Sequence, residues 1–180
     1  MSIYSDEIKS AVRTVADWPE PGVMFRDIMP LLQNPKIFSK IIDNFVHRYQ
    51  GMEIDAIAAV DARGFIFGAP LAYELGISLV PMRKKGKLPF TTVCQSYNLE
   101  YGQGAIEVHC DAFKAGDKVL IIDDLIATGG TMLAACELVK KLNAKVIEVA
   151  AIIDLPELNG ATKLKEAGFD VFTICAFDGK

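Results

Sequence analysis

A chain of 180 residues, 51% of them hydrophobic, suits one domain with a real core. Its formal net charge of −4 and pI near 5.2 argue against sequence-independent nucleic-acid binding, which relies on a basic surface to displace counterions. The opening Met-Ser-Ile-Tyr-Ser-Asp-Glu has no basic region leading into an apolar core, and no apolar run approaches membrane-spanning length, so a soluble cytoplasmic protein without a membrane partner is expected. Cys94, Cys110, Cys136 and Cys175 are scattered without CxxC spacing, which suggests reduced thiols in place of zinc or disulfides.

Two helical stretches open the chain. In the second, Asn34 suits the N-cap and Pro35 the first helical position, and Ile37, Phe38, Ile41, Ile42, Phe45, Val46 and Tyr49 form one apolar face before Gly51. Strand-like runs follow at 56–60, 79–82, 105–108, 119–122, 146–153 and 171–175, with helical patterns at 66–75 and 131–142. Gly76 and Asn143-Ala144 mark tight turns from helix to strand. This alternation predicts an α/β fold with a doubly wound, mostly parallel sheet flanked by helices. Residues 88–104 break the rhythm; long, polar and glycine-containing, with at most a hairpin in them, they read as a mobile lid that would exclude water from a reactive site. One domain, 1–180, is therefore expected: an N-terminal part with a helix over about 1–34, a core over 35–155, a lid at 88–104 and a C-terminal part at 156–180.

The most informative stretch is Val119-Leu-Ile-Ile-Asp123-Asp124-Leu-Ile-Ala127-Thr128-Gly129-Gly130-Thr131. Four apolar residues imply a strand buried on both faces, whose C-terminal end opens onto the crevice where such sheets bind ligands. Two carboxylates there can accept bonds from sugar hydroxyls. The glycine-rich turn that follows offers backbone N–H groups and two hydroxyls at a helix start, where the dipole favours an anion. It lacks the lysine and the spacing of the nucleoside-triphosphate loop, so a sugar phosphate fits better than ATP. A receiver-domain acidic pocket is the bland alternative, but more than a hundred residues precede this pair. Asp61-Ala62-Arg63-Gly64-Phe65 follows another strand and also reaches the crevice. The basic run Arg83-Lys84-Lys85-Gly86-Lys87 would ordinarily be a solvated turn, yet it too ends a strand, and Gly86 would let a backbone come close. His47 and His109 read as structural or surface residues, and Trp18 as packing.

These segments, together with Pro21-Gly22-Val23-Met24-Phe25-Arg26-Asp27-Ile28 and Ser96-Tyr97-Asn98-Leu99-Glu100-Tyr101-Gly102, resemble the type I phosphoribosyltransferases, and among them the adenine-specific family, from about Trp18 to about Lys165. The resemblance implies adenine, 5-phosphoribosyl 1-diphosphate (PRPP), AMP and diphosphate as ligands. Asp123 and Asp124 would serve the ribose and catalysis, with Ala127, Thr128, Gly129, Gly130 and Thr131 on the 5-phosphate. Ala62, Arg63, Arg83 and Lys87 would take the pyrophosphate, with a cis peptide at Ala62-Arg63. The resemblance also implies that the N-terminal part, about 1–34, forms a small hood over the site, in which Phe25 would stack on adenine, groups near Met24 would read its edge, and Arg26 would anchor the segment. Glu100 and Tyr101 would be the lid's catalytic pair.

The resemblance further implies Mg²⁺, held through PRPP and water near Asp123 and Asp124 with no direct protein ligand, and a homodimer with the Arg63 loop near the subunit contact. This chain departs from the family at Phe90-Thr91-Thr92, where many relatives carry glycine, at Leu125-Ile126, and at Asp154, where glutamate is common; Asp154 is left out of the site. Two alternatives stay open: a transferase acting on hypoxanthine, guanine or xanthine, and a non-catalytic PRPP-sensing regulator.

Overall fold

The computed structural model describes residues 4–98 and 103–179. A short helix α1 (Ser5–Ala11) leads into an antiparallel hairpin, β1 (Arg13–Ala16) and β2 (Met24–Asp27), that stands apart from the main sheet. After the single turn α2 (Met29–Leu32), helix α3 (Pro35–Tyr49) begins as the sequence predicts: the Asn34 side chain accepts from the N–H groups of Lys36 and Ile37, and Pro35 occupies the first turn. Its periodic face buries Ile37, Ile41, Ile42, Phe45 and Tyr49.

From there strands and helices alternate. Strand β3 (Ala56–Val60) feeds α4 (Gly64–Leu75), which ends on left-handed Gly76 and returns as β4 (Ser78–Lys84). A hairpin of β5 (Thr92–Asn98) and β6 (Gln103–His109) follows, then β7 (Lys118–Ile126), α5 (Gly130–Lys141), β8 (Lys145–Asp154), a 3₁₀ turn at Pro156–Leu158, α6 (Gly160–Glu166) and β9 (Val171–Ala176). Among the described residues the main sheet runs β5-β6-β4-β3-β7-β8-β9, parallel from β4 to β9 and antiparallel where the hairpin joins β4. The expected doubly wound sheet is therefore present, with an antiparallel extension on one edge.

Alternation along the strands explains the two-sided core. Ile57 and Ala59 of β3, Leu120 and Ile122 of β7, and Ala150 and Ile152 of β8 face the layer that contains α3 and α4. Their neighbours Ala58, Val119, Ile121, Val149 and Ala151 face α5 on the other side. Burial on both faces is what turns these strands into continuous apolar runs.

Two expectations need correction. Of 88–104, expected to be a loop with at most a hairpin, Thr92 to Asn98 form a full strand that pairs with Gln103 to His109 in antiparallel register, while 99–102 lie outside the described residues. The polar residues that suggested a loop belong to a strand at the edge of the sheet, where one side need not be apolar. Strand β7 does not stop at Ile122 but carries both carboxylates and ends at Ile126, because β8 continues beside it, pairing Asp123 with Ala151 and Ile126 with Asp154. The strand expected at 171–175 is present as β9, the last strand of the main sheet.

Candidate active site

The order of the strands decides where a ligand can sit. β3 connects through α4 to a strand on one side and β7 connects through α5 to a strand on the other, so the winding reverses between them. The C-terminal ends of strands at such a reversal diverge and leave a crevice. Register shows the opening: β3 and β7 pair only as far as Ala59 and Ile122, and the last four residues of β7 have β8 alone as a neighbour.

A cavity of about 180 Å³ lies at this point, lined by Arg63 and by every residue from Asp123 to Met132. It brings together Arg63, Asp123, Asp124, Ala127, Thr128, Gly129, Gly130 and Thr131. Gly129 is the N-cap of α5 in the left-handed conformation (φ 82°), and no side chain caps the helix. The first N–H groups of α5 therefore remain available to an anion.

Asp124 is only 2% exposed, and Arg63 Nε donates to its Oδ2 at 2.5 Å. The approach depends on Gly64. A Cβ there would lie 2.7 Å from the carbonyl oxygen of Ile122 and 3.2 Å from the Cα of Asp123, so only glycine lets the start of α4 close onto β7. Asp123 accepts from the N–H of Asp124 at 2.8 Å. Burial and the negative charge of Asp124 push its carboxyl well above the usual carboxylate range, with Arg63 offsetting part of the effect.

Ala62 and Arg63 lie in the turn between β3 and α4. The cis peptide falls at Asp61-Ala62, one bond earlier than the resemblance implied. The turn begins at Asp61, whose N–H still bonds to Met82 O at 2.9 Å and whose carboxylate accepts from Arg83 Nε at 2.8 Å. Burial opposes ionisation of Asp61, but Arg83 and the N–H of Lys84 hold it below the usual range. Arg83 is thereby fixed toward the same turn, with its guanidinium 5.6 Å from the Phe65 ring.

Arg83 and Lys87 are not part of the cavity lining. The turn that carries them is held by a residue the sequence reading passed over: buried Glu107 accepts from the N–H groups of Gly86, Lys87 and Leu88 at 2.9, 3.0 and 3.1 Å. The N–H of Gly86 is therefore engaged within the protein. Glu107 sat unnoticed because a lone acid in an apolar strand gives no periodic or motif signal.

The hood also lies outside the cavity lining. Its hairpin pairs Val15 with Phe25 and Thr14 with Arg26. Trp18, 51% exposed, sets its ring edge against Phe25 with centroids 4.3 Å apart. It is thus partner to the predicted stacking residue as well as packing. Arg26 is buried and donates to Thr14 Oγ1 at 2.6 Å and to Asp178 O at 2.8 Å, with Phe177 beneath its guanidinium. It ties the hood to the C-terminus, while Met24 is exposed. At the base of the hood, the N–H of Met29 and the Arg13 side chain hold Asp27 below the usual carboxylate range, and the charge of Arg63 adds to this. Glu100 and Tyr101 lie outside the described residues.

A family model described as phosphoribosyl transferase domain matches residues 29–174. The chain is 63% identical over 177 residues to an adenine phosphoribosyltransferase of Chromohalobacter salexigens, covering 98% of each chain, and 61% identical over 179 residues to that of Marinobacter nauticus, covering 99% of each. This chain belongs to the adenine phosphoribosyltransferase family. Its fold matches the crystal structure of the Thermoanaerobacter pseudethanolicus member with a TM-score of 0.91 at 44% identity, over 96% of this chain and 99% of that one. The Saccharomyces cerevisiae member, crystallised with adenine and an imino-altritol bisphosphate, matches with a TM-score of 0.88 at 39% identity, over 95% of this chain and 98% of that one. The chain has the type I phosphoribosyltransferase fold. No described helix is long and apolar enough to cross a membrane.

Proposed function

We propose that the protein transfers the 5-phosphoribosyl group of PRPP to N9 of adenine, forming AMP and releasing diphosphate, as a cytoplasmic, Mg²⁺-dependent homodimer of purine salvage. One observation carries the reading: a single cavity joins a buried, arginine-paired carboxylate to an uncapped, glycine-rich helix start. Carboxylate and helix dipole have opposite preferences, and a phosphorylated sugar satisfies both.

Breaking the bond from ribose C1 to the diphosphate oxygen builds positive charge on the ring and negative charge on the leaving group. The 5-phosphate sits over the N–H groups and hydroxyls of 127–131, which anchors one end of the sugar. Asp124 and Asp123 accept bonds from the ribose hydroxyls and face the developing cation; fixed charge at such a point is often a large part of catalysis. For Asp124 to do this, Arg63 turns from it toward the leaving diphosphate, where Arg83 and Lys87 add their charge. Hydroxyls donating to Asp123 offset the burial that raises its carboxyl, favouring the ionised form.

The donor set fits Mg²⁺ as an ion carried on the substrate. Asp123 and Asp124 line the cavity, where they would hold the ion through water and the ribose hydroxyls. When bound, the ion would neutralise the leaving diphosphate. Phe25, braced by Trp18, covers the base from the hood side, and Glu100 with Tyr101 would manage the proton at the purine imidazole, a contribution typically of about 10²–10⁴ in rate.

The test is product analysis after mixing the protein with Mg²⁺, PRPP and, separately, adenine, hypoxanthine, guanine and xanthine. AMP from adenine alone is expected. A different nucleotide would overturn the choice of base, and no nucleotide from any base would replace the enzyme with a PRPP-sensing regulator.

A further inference from the structure

The end of β4 and the turn that follows it pack Arg83, Lys84, Lys85 and Lys87 into five positions. Such a run repels itself and, left alone, would be mobile. Beneath it lies Glu107, only 5% exposed. Register places Glu107 directly across from Arg83 in the β4–β6 pair, and Gly86 takes a φ of +84°. That conformation turns three successive N–H groups inward, forming a small anion-binding concavity. The carboxylate of Glu107 fills it: one oxygen receives Gly86, Lys87 and Leu88, and the other receives the Thr92 hydroxyl at 3.1 Å. Burial alone would push this carboxyl upward, but the Leu88, Thr92, Lys87 and Gly86 donors outweigh it and hold it below the usual range.

We propose that Glu107 is a positioning residue for the diphosphate: it occupies the anion nest of the turn itself, so that the turn presents a fixed set of cationic side chains to the substrate while its backbone donors stay engaged. The inference rests on the assignment of residues 83–88 to diphosphate contact. It explains why Gly86 is needed without requiring substrate to approach it. It also separates two jobs within one turn, since Lys87 gives its N–H to Glu107 and keeps its ammonium, on an exposed residue, for the ligand.

The experiment compares KM for PRPP, KM for adenine and kcat in the full-length protein for Glu107→Ala, Glu107→Gln and Lys87→Ala, with amide hydrogen exchange at residues 86–88 in the unsubstituted protein. Glu107→Ala leaves three donors without their acceptor and should raise KM for PRPP about tenfold or more, with KM for adenine changed by less than about threefold. Glu107→Gln keeps an amide oxygen for the three N–H groups and should recover most of that loss. The amides of Gly86, Lys87 and Leu88 should exchange slowly, and this readout together with the Gln variant decides the matter even if Glu107→Ala does not fold. Fast exchange at these amides, a Gln variant as impaired as Ala, or equal losses for PRPP and adenine would overturn the proposal. If Lys87→Ala raises KM for PRPP and Glu107→Ala does not, the role of Glu107 alone fails. If neither does, the assignment of the turn to diphosphate fails with it.

Discussion

Asp124→Asn separates chemistry from folding. The substitution preserves shape and leaves an oxygen for Arg63, while removing the buried charge that faces the proposed ribose site. The lost ion pair is modest, because the Arg63 side chain is 43% exposed and such a pair is worth about 0.2–1 kcal/mol. Relief of the repulsion that raises Asp123 acts in the opposite direction. Stability should therefore change by no more than about 1 kcal/mol, a shift in Tm of at most about 4 °C for a domain of this size. Removing a preorganised group at a developing charge typically costs about 10²–10³-fold in turnover. The assay is steady-state AMP formation at saturating adenine and PRPP, with thermal melting of the same preparation. Turnover within about threefold of the unsubstituted protein would refute the carboxylate role, and a fall in Tm beyond about 10 °C would show that the charge belongs to the fold.

Other outcomes follow from the same geometry. A Cβ at Gly160 would lie 2.2 Å from Ala127 O and 2.7 Å from Gly129 N, both backbone atoms of the phosphate turn, so Gly160→Ala should raise KM for PRPP about tenfold or more by moving that turn; an unchanged KM would mean that α6 shifts instead. Asp123 binds its proton more tightly in the folded protein than in the unfolded chain, so its contribution to stability is fully present below the ordinary carboxylate range and lost as pH rises through the elevated value. Asp123→Asn should accordingly raise Tm at pH 8 and leave it nearly unchanged at pH 4, while lowering turnover, as melting and activity at both pH values would show. Glu148 accepts two bonds from Arg48, at 2.7 and 2.6 Å, and one from Tyr49 at 2.6 Å. Glu148→Ala should cost about 3 kcal/mol and lower Tm by about 6–12 °C, with both KM values unchanged because β8 carries Glu148 near its start, away from the site.

Features that depend on local pattern were legible in the chain before any fold was known. Asn34-Pro35 and the apolar face after it define α3; alternating apolar runs define the parallel sheet; and Asp123-Asp124 with 127–131 mark the crevice, because strand, carboxylates and glycines are contiguous in the chain. Relations across long separations emerge only once the chain is folded. Arg63 meets Asp124 because Gly64 lets α4 approach β7, Asp61 captures Arg83 across two strand ends, and Glu107 reaches under a turn that precedes it by some twenty residues. None of these pairs has a sequence period, so each residue taken alone reads as an ordinary charge. Strand β5 is illegible in the sequence for a related reason: an edge strand gains its order from hydrogen bonds to a neighbour, and those bonds leave no hydrophobic mark on the sequence.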